Sequence, residues 1–152
     1  MPNTQAMATS FKGELLNSYH NFSATNPART INTADSFKAA LYLASATVNA
    51  STTAYSSTGE VTGTNYTAGG VAITAWNAPT TSGTTGFTTP TASITYTNVT
   101  LSTAFDAVLI YNNSQSNRSV SVHTFGSQTV TAGTFTLTMP TNDATNALIR
   151  LA

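Results

Sequence analysis

The chain has 152 residues, of which 40% are hydrophobic and only 7% are charged, with five basic and five acidic side chains. This length indicates one domain with a sizeable core, and the hydrophobic content excludes a chain that is disordered for want of apolar residues. Because the formal net charge is zero, we expect no general attraction to nucleic acid or to anionic lipid. The absence of cysteine excludes disulfides and thiolate metal sites.

Residues 1–9 predict a flexible N-terminal arm. They contain no apolar run of the kind found in a signal peptide, and no stretch of the chain has the length of a membrane span. We therefore expect neither an export signal nor a membrane segment.

The first periodic segment predicts a helix over 10–22, with Thr9 or Ser10 as its N-cap. Its apolar residues recur at helical spacing and share one face, which comprises Phe11, Leu15, Leu16, Tyr19 and Phe22. This face either closes one end of a β-structure in the same domain, which is the usual role of such a helix, or docks on a neighbouring subunit.

A polar connection over 23–35 leads into the segment 36–44, which has an ambiguous pattern. Its apolar residues alternate as in a strand, yet its Ala and Leu content, with Asp35 as a cap, would also suit a helix. We favour the strand.

The rest of the chain consists of short β-segments separated by turn signals. Strands are predicted at 71–76, 93–102, 106–111, 119–125, 133–139 and 147–151. The prolines and glycines of 77–91 predict an exposed loop or a long hairpin, and 112–117 predicts a turn. Alternation places Val120 and Val122 on one face of their strand.

The strictest alternation lies in 133–139, where Phe135, Leu137 and Met139 are predicted to face the core and the intervening threonines to face outward. Roughly seven or eight short strands with regular turn signals are typical of a sandwich or a barrel. We therefore predict a single mainly β domain, an antiparallel β-sandwich or jelly-roll-like barrel over 36–152 with one N-terminal α-helix.

The residues that could carry catalysis are few and scattered. His20 lies in the predicted helix and His123 in a predicted strand, and neither has a carboxylate at a local spacing that would orient it. The acidic residues occur singly, whereas a glycosidase needs two converging carboxylates. The chain also lacks metal-ligand spacing and a phosphate loop, and its basic residues are too dispersed for a nucleic-acid surface. We predict no catalytic residues, no metal and no cofactor, and hence a protein that is not an enzyme.

Two features allow a binding interpretation beside the structural one. Trp76, Phe87, Tyr96 and Tyr111 could form an aromatic platform for a sugar, although core packing explains them as well. The Thr-x-Thr pattern of 134–138 is similar to the threonine ladders of ice-binding proteins, but it occupies one strand only.

Several motifs occur in an order that resembles a family of small structural proteins of tailed bacteriophages, from about residue 10 onward. The most specific is Glu60-Val-Thr-Gly-Thr-Asn-Tyr-Thr-Ala-Gly-Gly70. The others are Phe37-Lys-Ala-Ala-Leu-Tyr, Thr53-Ala-Tyr55, Val99-Thr-Leu, Ala107-Val-Leu-Ile-Tyr-Asn112, Phe125-Gly-Ser, Gly133-Thr-Phe-Thr-Leu-Thr-Met-Pro140 and Ala147-Leu-Ile-Arg-Leu.

The resemblance implies a virion component that is made in the host bacterial cytoplasm, most plausibly a head decoration (cement) protein. Such a protein would sit on the capsid exterior, often as a homotrimer, and would bridge neighbouring subunits of the major capsid protein. A tail or fibre component that binds a receptor or a glycan is the alternative. The family offers no catalytic residues to carry over.

Under this resemblance, subunit contacts are expected from the helix and from the segment 60–70. The expected interface residues are Phe11, Leu15, Tyr19, Glu60, Tyr66, Gly69 and Gly70. The glycines of the segment permit a tight irregular loop, and Tyr66 is expected to anchor it with a buried ring and a hydroxyl in water.

Overall fold

A computed structural model describes residues 3–8, 11, 19–22 and 34–152. This part of the chain is mainly β and antiparallel, as predicted. Its strands are β1 (Ala6–Met7), β2 (Phe37–Leu43), β3 (Val71–Ile73), β4 (Thr80–Ser82), β5 (Thr85–Thr88), β6 (Ile94–Asn112), β7 (Arg118–Leu137) and β8 (Ile149–Leu151).

The strands form a five-stranded sheet in the order β1-β7-β6-β2-β3 and a three-stranded sheet in the order β4-β5-β8. Neither sheet closes into a barrel within the described residues. Ile149 of β8 packs in the main core cluster of the larger sheet, and this contact joins the two sheets.

Two strands dominate the larger sheet, because β6 and β7 have 19 and 20 residues and pair along nearly their whole length. The turn predicted at 112–117 joins them into a hairpin. Four segments that we predict as separate strands therefore merge into two. The uneven alternation of 93–102 corresponds to a series of register shifts, at which β-bulges bend the strands without ending them.

The central part of the larger sheet is buried on both faces. Alternate residues of β2 lie in two separate apolar clusters, with Leu41 on one face and Ala40 on the other. The adjoining part of β6 is divided in the same way, with Val108 beside Leu41 and Leu109 beside Ala40. A strand covered on both faces has a nearly continuous apolar run, which is why the pattern of 36–44 is ambiguous. The strand is confirmed.

A bulge at Val120 overturns the prediction that Val120 and Val122 share a face. Ser119 pairs with Tyr111 and Ser121 with Ile110, so Val120 is the extra residue in β7. Val120 lies in the main core cluster, whereas Val122 lies in the cluster on the opposite face. An inserted residue changes the side to which the following side chains point.

The ends of β6 and β7 farthest from their turn form a two-stranded ribbon, which comprises residues 94–105 and 126–137. Phe135 and Leu137 are half-buried on one face of this ribbon, and Thr134 and Thr136 are exposed on the other. The predicted alternation of 133–139 is thus confirmed, but its apolar side chains are only partly covered.

The segment 77–91 forms the hairpin of β4 and β5, which turns at Gly83 with a φ of 58°. A long hairpin is one of the two predicted forms. Gly83 adopts a left-handed backbone conformation that side-chain-bearing residues rarely occupy.

Most of the predicted helix over 10–22 lies outside the described residues, and residues 19–22 have no regular secondary structure. The predicted arm over 1–9 is not free where it is described. Ala6 and Met7 pair with β7, and the Asn3 side chain donates hydrogen bonds to the Leu43 carbonyl and the Asp106 carboxylate. Residues 3–8 are therefore anchored to the larger sheet.

Candidate functional site

The segment 60–70 lies along β2 and is held there by a buried carboxylate. Glu60 is only 6% exposed. Its Oε1 accepts hydrogen bonds from the Tyr66 hydroxyl at 2.8 Å and the Gly69 N–H at 2.7 Å. Its Oε2 accepts a hydrogen bond from the Tyr55 hydroxyl at 2.7 Å. A buried carboxylate is costly unless such donors replace water, so these bonds are essential to the loop.

The backbone of the segment continues the edge of β2 beyond the point where β3 ends. The Leu43 N–H donates to the Gly59 carbonyl at 2.9 Å, and the Val61 N–H donates to the Leu41 carbonyl at 3.0 Å. The Tyr66 hydroxyl accepts a hydrogen bond from the Leu41 N–H at 3.0 Å. This hydroxyl is therefore fully used inside the protein, and the prediction that it lies in water is wrong.

The two glycines at the end of the segment allow its close approach to β2. Gly69 and Gly70 have φ values of 90° and 72°, in the left-handed region. A Cβ atom at Gly70 would lie 1.8 Å from the Ala39 carbonyl oxygen. Only glycine fits this contact.

Five tyrosines surround the carboxylate, and with Glu60 they form what we call the tyrosine cluster, comprising Tyr42, Tyr55, Tyr66, Tyr96 and Tyr111. Tyr55 stacks on Tyr111 with ring centroids 4.8 Å apart, and Tyr66 stacks on Tyr96 at 5.9 Å. The Tyr96 hydroxyl donates to the Ala39 carbonyl at 2.7 Å. The Tyr111 hydroxyl donates to the Gly69 carbonyl at 2.8 Å. The cluster thus ties the segment 60–70 to β2 and β6.

The environment of the cluster holds its phenols in the protonated form. Burial raises the pKa of Tyr42 and Tyr111 to about 12, with a smaller contribution from the negative charge of Glu60. Burial, supported by Glu60, also raises the pKa of Tyr55, Tyr66 and Tyr96 well above the ordinary value. Protonated phenols donate hydrogen bonds and are poor nucleophiles, so the cluster is suited to structure.

His123 is hydrogen-bonded to a serine, an arrangement that can serve nucleophilic catalysis. Its Nε2 lies 2.8 Å from the Ser121 Oγ, and burial lowers the pKa of the imidazole to about 4. Ser121, however, is 2% exposed. A nucleophile must reach its substrate, so this pair lacks the access that catalysis requires.

A second buried polar network includes His20 at the turn between β6 and β7. Asn112 is completely buried, and its Nδ2 lies 3.1 Å from His20 Nδ1. The same Nδ2 donates to Asp35 Oδ2 at 2.8 Å, which also accepts a hydrogen bond from the Asn21 N–H at 3.1 Å. The network links residues 20–21 and 35 to the end of β6.

The described residues contain no group of three or more His, Asp or Glu side chains that could hold a metal ion. In the same part of the chain no helix combines the length and the apolar character that crossing a membrane requires.

The aromatic platform considered for sugar binding does not form on the surface. Tyr96 and Tyr111 are each 2% exposed and Phe87 is 8% exposed. Trp76 is partly buried and packs edge-on against Phe37 at 5.4 Å. These rings lie in the core, where a sugar cannot stack on them.

A regular exposed feature is the outer face of the ribbon, which we call the threonine face. It comprises Thr95, Thr97, Thr134 and Thr136, and Thr138 follows directly after β7; all five are exposed. Thr95 lies directly opposite Thr136, so the threonine pattern continues from β7 onto β6. Neither strand of the ribbon carries a charged residue.

The expected interface residues of the segment 60–70 face mostly inward. The Glu60 side chain and Gly69 are buried, and Tyr66 and Gly70 are partly buried. The Glu60 carboxylate serves its own chain and is not free to contact a partner. The motif in the sequence indicates this segment, whereas no sequence pattern identifies Tyr55, Tyr96 and Tyr111 as its partners.

Of the expected interface residues in the predicted helix, Leu15 lies outside the described residues. Phe11 is completely buried and packs against His20 with ring centroids 4.7 Å apart, so it is not available for a contact between subunits. Tyr19 is 41% exposed, and the Arg118 guanidinium lies 4.6 Å from its ring centroid.

No protein-family model, curated protein or solved structure significantly matches the chain.

Proposed function

We propose that the chain is a structural subunit of a tailed-phage particle, which decorates the capsid exterior and bridges neighbouring subunits of the major capsid protein. The resemblance of 60–70 and the other motifs suggests the kind of particle. The observation that carries an assembly role is the uncharged ribbon, an extended β-surface on which hydroxyls and small apolar groups are presented without charge.

Such a surface suits contacts between proteins that are repeated over a particle. Burying charged groups in an interface requires that water be stripped from them, whereas threonine methyls and hydroxyls lose little on close approach. A chain with zero net charge also has little electrostatic repulsion between copies. Many small contacts could then stabilise a shell through apolar burial.

A role that is mechanical requires a subunit with few alternative conformations. The tyrosine cluster supports this property, because it fixes the segment 60–70 by hydrogen bonds to β2 and by ring stacking. Glu60 and His123 are residue types that can take part in catalysis, but here their side chains make hydrogen bonds within the fold. We accordingly propose a subunit without enzymatic activity.

The experiment that tests this proposal measures how many copies of the chain a purified particle contains and where they lie. Quantitative mass spectrometry against the major capsid protein should give many copies, far more than any tail protein. Cryo-electron microscopy should place the chain on the outside of the head. Density for the chain in the tail alone would favour the tail or fibre alternative, and absence from purified particles would contradict both.

A further inference from the structure

The outer edge of β7 is unpaired over most of its length within the described part of the chain. β1 covers it only at Ser121 and Val122, and the Ala8 N–H donates to the neighbouring Val120 carbonyl at 3.1 Å. Beyond this point β7 pairs with β6 alone. Unpaired backbone donors and acceptors at a sheet edge form a template for another strand.

The edge of the ribbon lacks two of the usual protections against strand addition, charged residues and proline. Natural edge strands are commonly blocked by charged residues, by proline or by bulges. From Ser119 to Met139, β7 and the two residues that follow it contain no Lys, Arg, Asp, Glu or Pro. Register shifts interrupt much of the ribbon, but Phe135–Leu137 pairs with Ile94–Tyr96 without a shift. Residues 135–137 are therefore the most regular part of the ribbon's open edge.

The apolar side chains of this segment are only partly covered, although Phe135 also packs against Phe125 of β7 with ring centroids 5.3 Å apart. The Phe135 ring lies 5.0 Å from Phe105 and 6.1 Å from Tyr96, both on β6, yet Phe135 remains partly exposed. Leu137 is also partly exposed. A strand added beside β7 would complete the cover of these apolar groups.

We propose that the edge at 133–139, which comprises the last five residues of β7 and the two that follow it, pairs antiparallel with the same segment of a second copy, so that the sheet continues across a two-fold axis at Thr136. In this register Phe135 lies beside Leu137 of the second copy, and Thr134 lies beside its Thr138. Threonines meet threonines on the outer face, and apolar side chains meet on the inner face.

A second copy fits this edge better than a charged partner does. Two identical uncharged strands bring no like charges together, and an antiparallel pair related by a two-fold axis satisfies the backbone groups of both. The segment spans roughly 20 Å at the usual rise of a strand. An edge contact of that length buries less than the roughly 1,000 Å² of a stable interface, so the pairing is weak and concentration-dependent.

The absence of cysteine from the natural chain permits a direct test by disulfide trapping. In the Thr136→Cys variant the two cysteines face each other across the axis, at the Cα separation of about 4.5–5.5 Å that a disulfide accepts. The matched control is Thr95→Cys, which lies opposite Thr136 on the same exposed face but one strand inward. Mild oxidation of the purified chain should yield covalent dimers from Thr136→Cys and leave Thr95→Cys monomeric.

The register of the pairing is tested by a separate experiment. A mixture of Thr134→Cys and Thr138→Cys chains should form the mixed dimer in preference to either homodimer. Equal trapping of Thr136→Cys and Thr95→Cys, or dimers from Thr134→Cys alone, would overturn the proposal, as would a cyclic trimer of the unmodified chain in sedimentation equilibrium. Strand pairing is measured on the purified chain without any particle, so the strand pairing and the proposed particle role can each fail without the other.

Discussion

At position 60 a carboxylate is buried in a chain that has few charged groups, and its hydrogen-bond donors come from residues 55, 66 and 69. Each hydrogen bond to a charged group typically contributes about 1.5–3 kcal/mol. A single residue therefore holds both ends of an irregular segment, and its contribution can be measured.

The first prediction concerns Glu60→Gln, which keeps the shape of the side chain. The amide oxygen can still accept hydrogen bonds from Tyr66 and Gly69, whereas the amide NH2 meets the Tyr55 hydroxyl, which must then accept instead of donate. All three hydrogen bonds also lose the charge of the carboxylate. We expect the free energy of unfolding in denaturant to fall by about 2–4 kcal/mol. Tyr55→Phe, which removes one donor and leaves the carboxylate its other two, should cost less. A loss below about 0.5 kcal/mol for Glu60→Gln would show that the hydrogen bonds to the Glu60 carboxylate do not stabilise the fold.

The second prediction concerns alkaline pH. The pKa of Tyr42 and Tyr111 rises from 10.0 to about 12 on folding. Above pH 10 the folded chain therefore binds more protons than the unfolded chain, and its stability falls as pH rises. The contribution is complete below pH 10 and is lost as pH approaches 12. The absorbance of the cluster tyrosines and the circular dichroism should change together in this range, and ionisation of Tyr42 or Tyr111 near pH 10 in a chain that stays folded would contradict the expectation.

Only part of this site was accessible from the sequence. The glycines and Tyr66 are close together in one segment, and their pattern indicates a tight loop with an aromatic anchor. The other tyrosines come from β2, from β6 and from residue 55, and no local pattern brings them to Glu60. One available signal was Glu60 itself, since an acid inside a motif of small uncharged residues suggests a specific partner.

The path of the segment 60–70 depends on backbone conformations that favour glycine. Glycines inside and outside this segment allow the dependence to be tested in steps. Gly70 has a positive φ and a blocked Cβ position, Gly83 has a positive φ and open space, and Gly86 is not in the left-handed region and also has open space. A comparison of these three positions therefore separates the cost of steric contact from the cost of backbone strain.

The third prediction compares alanine at these three glycines. Gly86→Ala should change the free energy of unfolding by no more than about 0.5 kcal/mol. Gly83→Ala should cost about 1–2 kcal/mol, since only the left-handed conformation is unfavourable. Gly70→Ala should cost more than either, because the Ala39 carbonyl must also move. Equal losses at Gly70 and Gly83 in denaturant unfolding would show that the loop shifts freely on β2.

The elements were predictable where the apolar period is regular. The buried run of 106–111 lies in β6, and the 133–139 alternation lies in β7 as far as Leu137, because each pattern matches one environment along its length. The merging of four segments into β6 and β7 was not predictable, since a bulge and a strand end interrupt a period in the same way. For this reason the sequence pattern predicted the wrong face of the sheet for one of the two valines, Val120 and Val122.

At the scale of the whole molecule, two regions of the larger sheet differ in how they are covered. β2 and residues 105–112 of β6 are buried on both faces, whereas the ribbon has one exposed face and one face that is buried on β6 but only partly buried on β7. Local opening requires less free energy where fewer apolar contacts are broken. The two regions should therefore differ in the free energy of local opening.

The fourth prediction is that native-state hydrogen exchange separates these regions. Amides of β2 and of residues 105–112 should exchange slowest, at the free energy of global unfolding, since their opening breaks both apolar clusters. Amides that pair the two strands of the ribbon should exchange faster and through a smaller opening. The comparison should be made at low protein concentration, because pairing of β7 with a second copy would slow exchange at its edge. Phe105→Ala provides the control, since it removes a completely buried ring at the boundary and should lower the protection of both regions. Uniform protection of β2, β6 and β7 would contradict the division and would show that the ribbon unfolds only with the entire sheet.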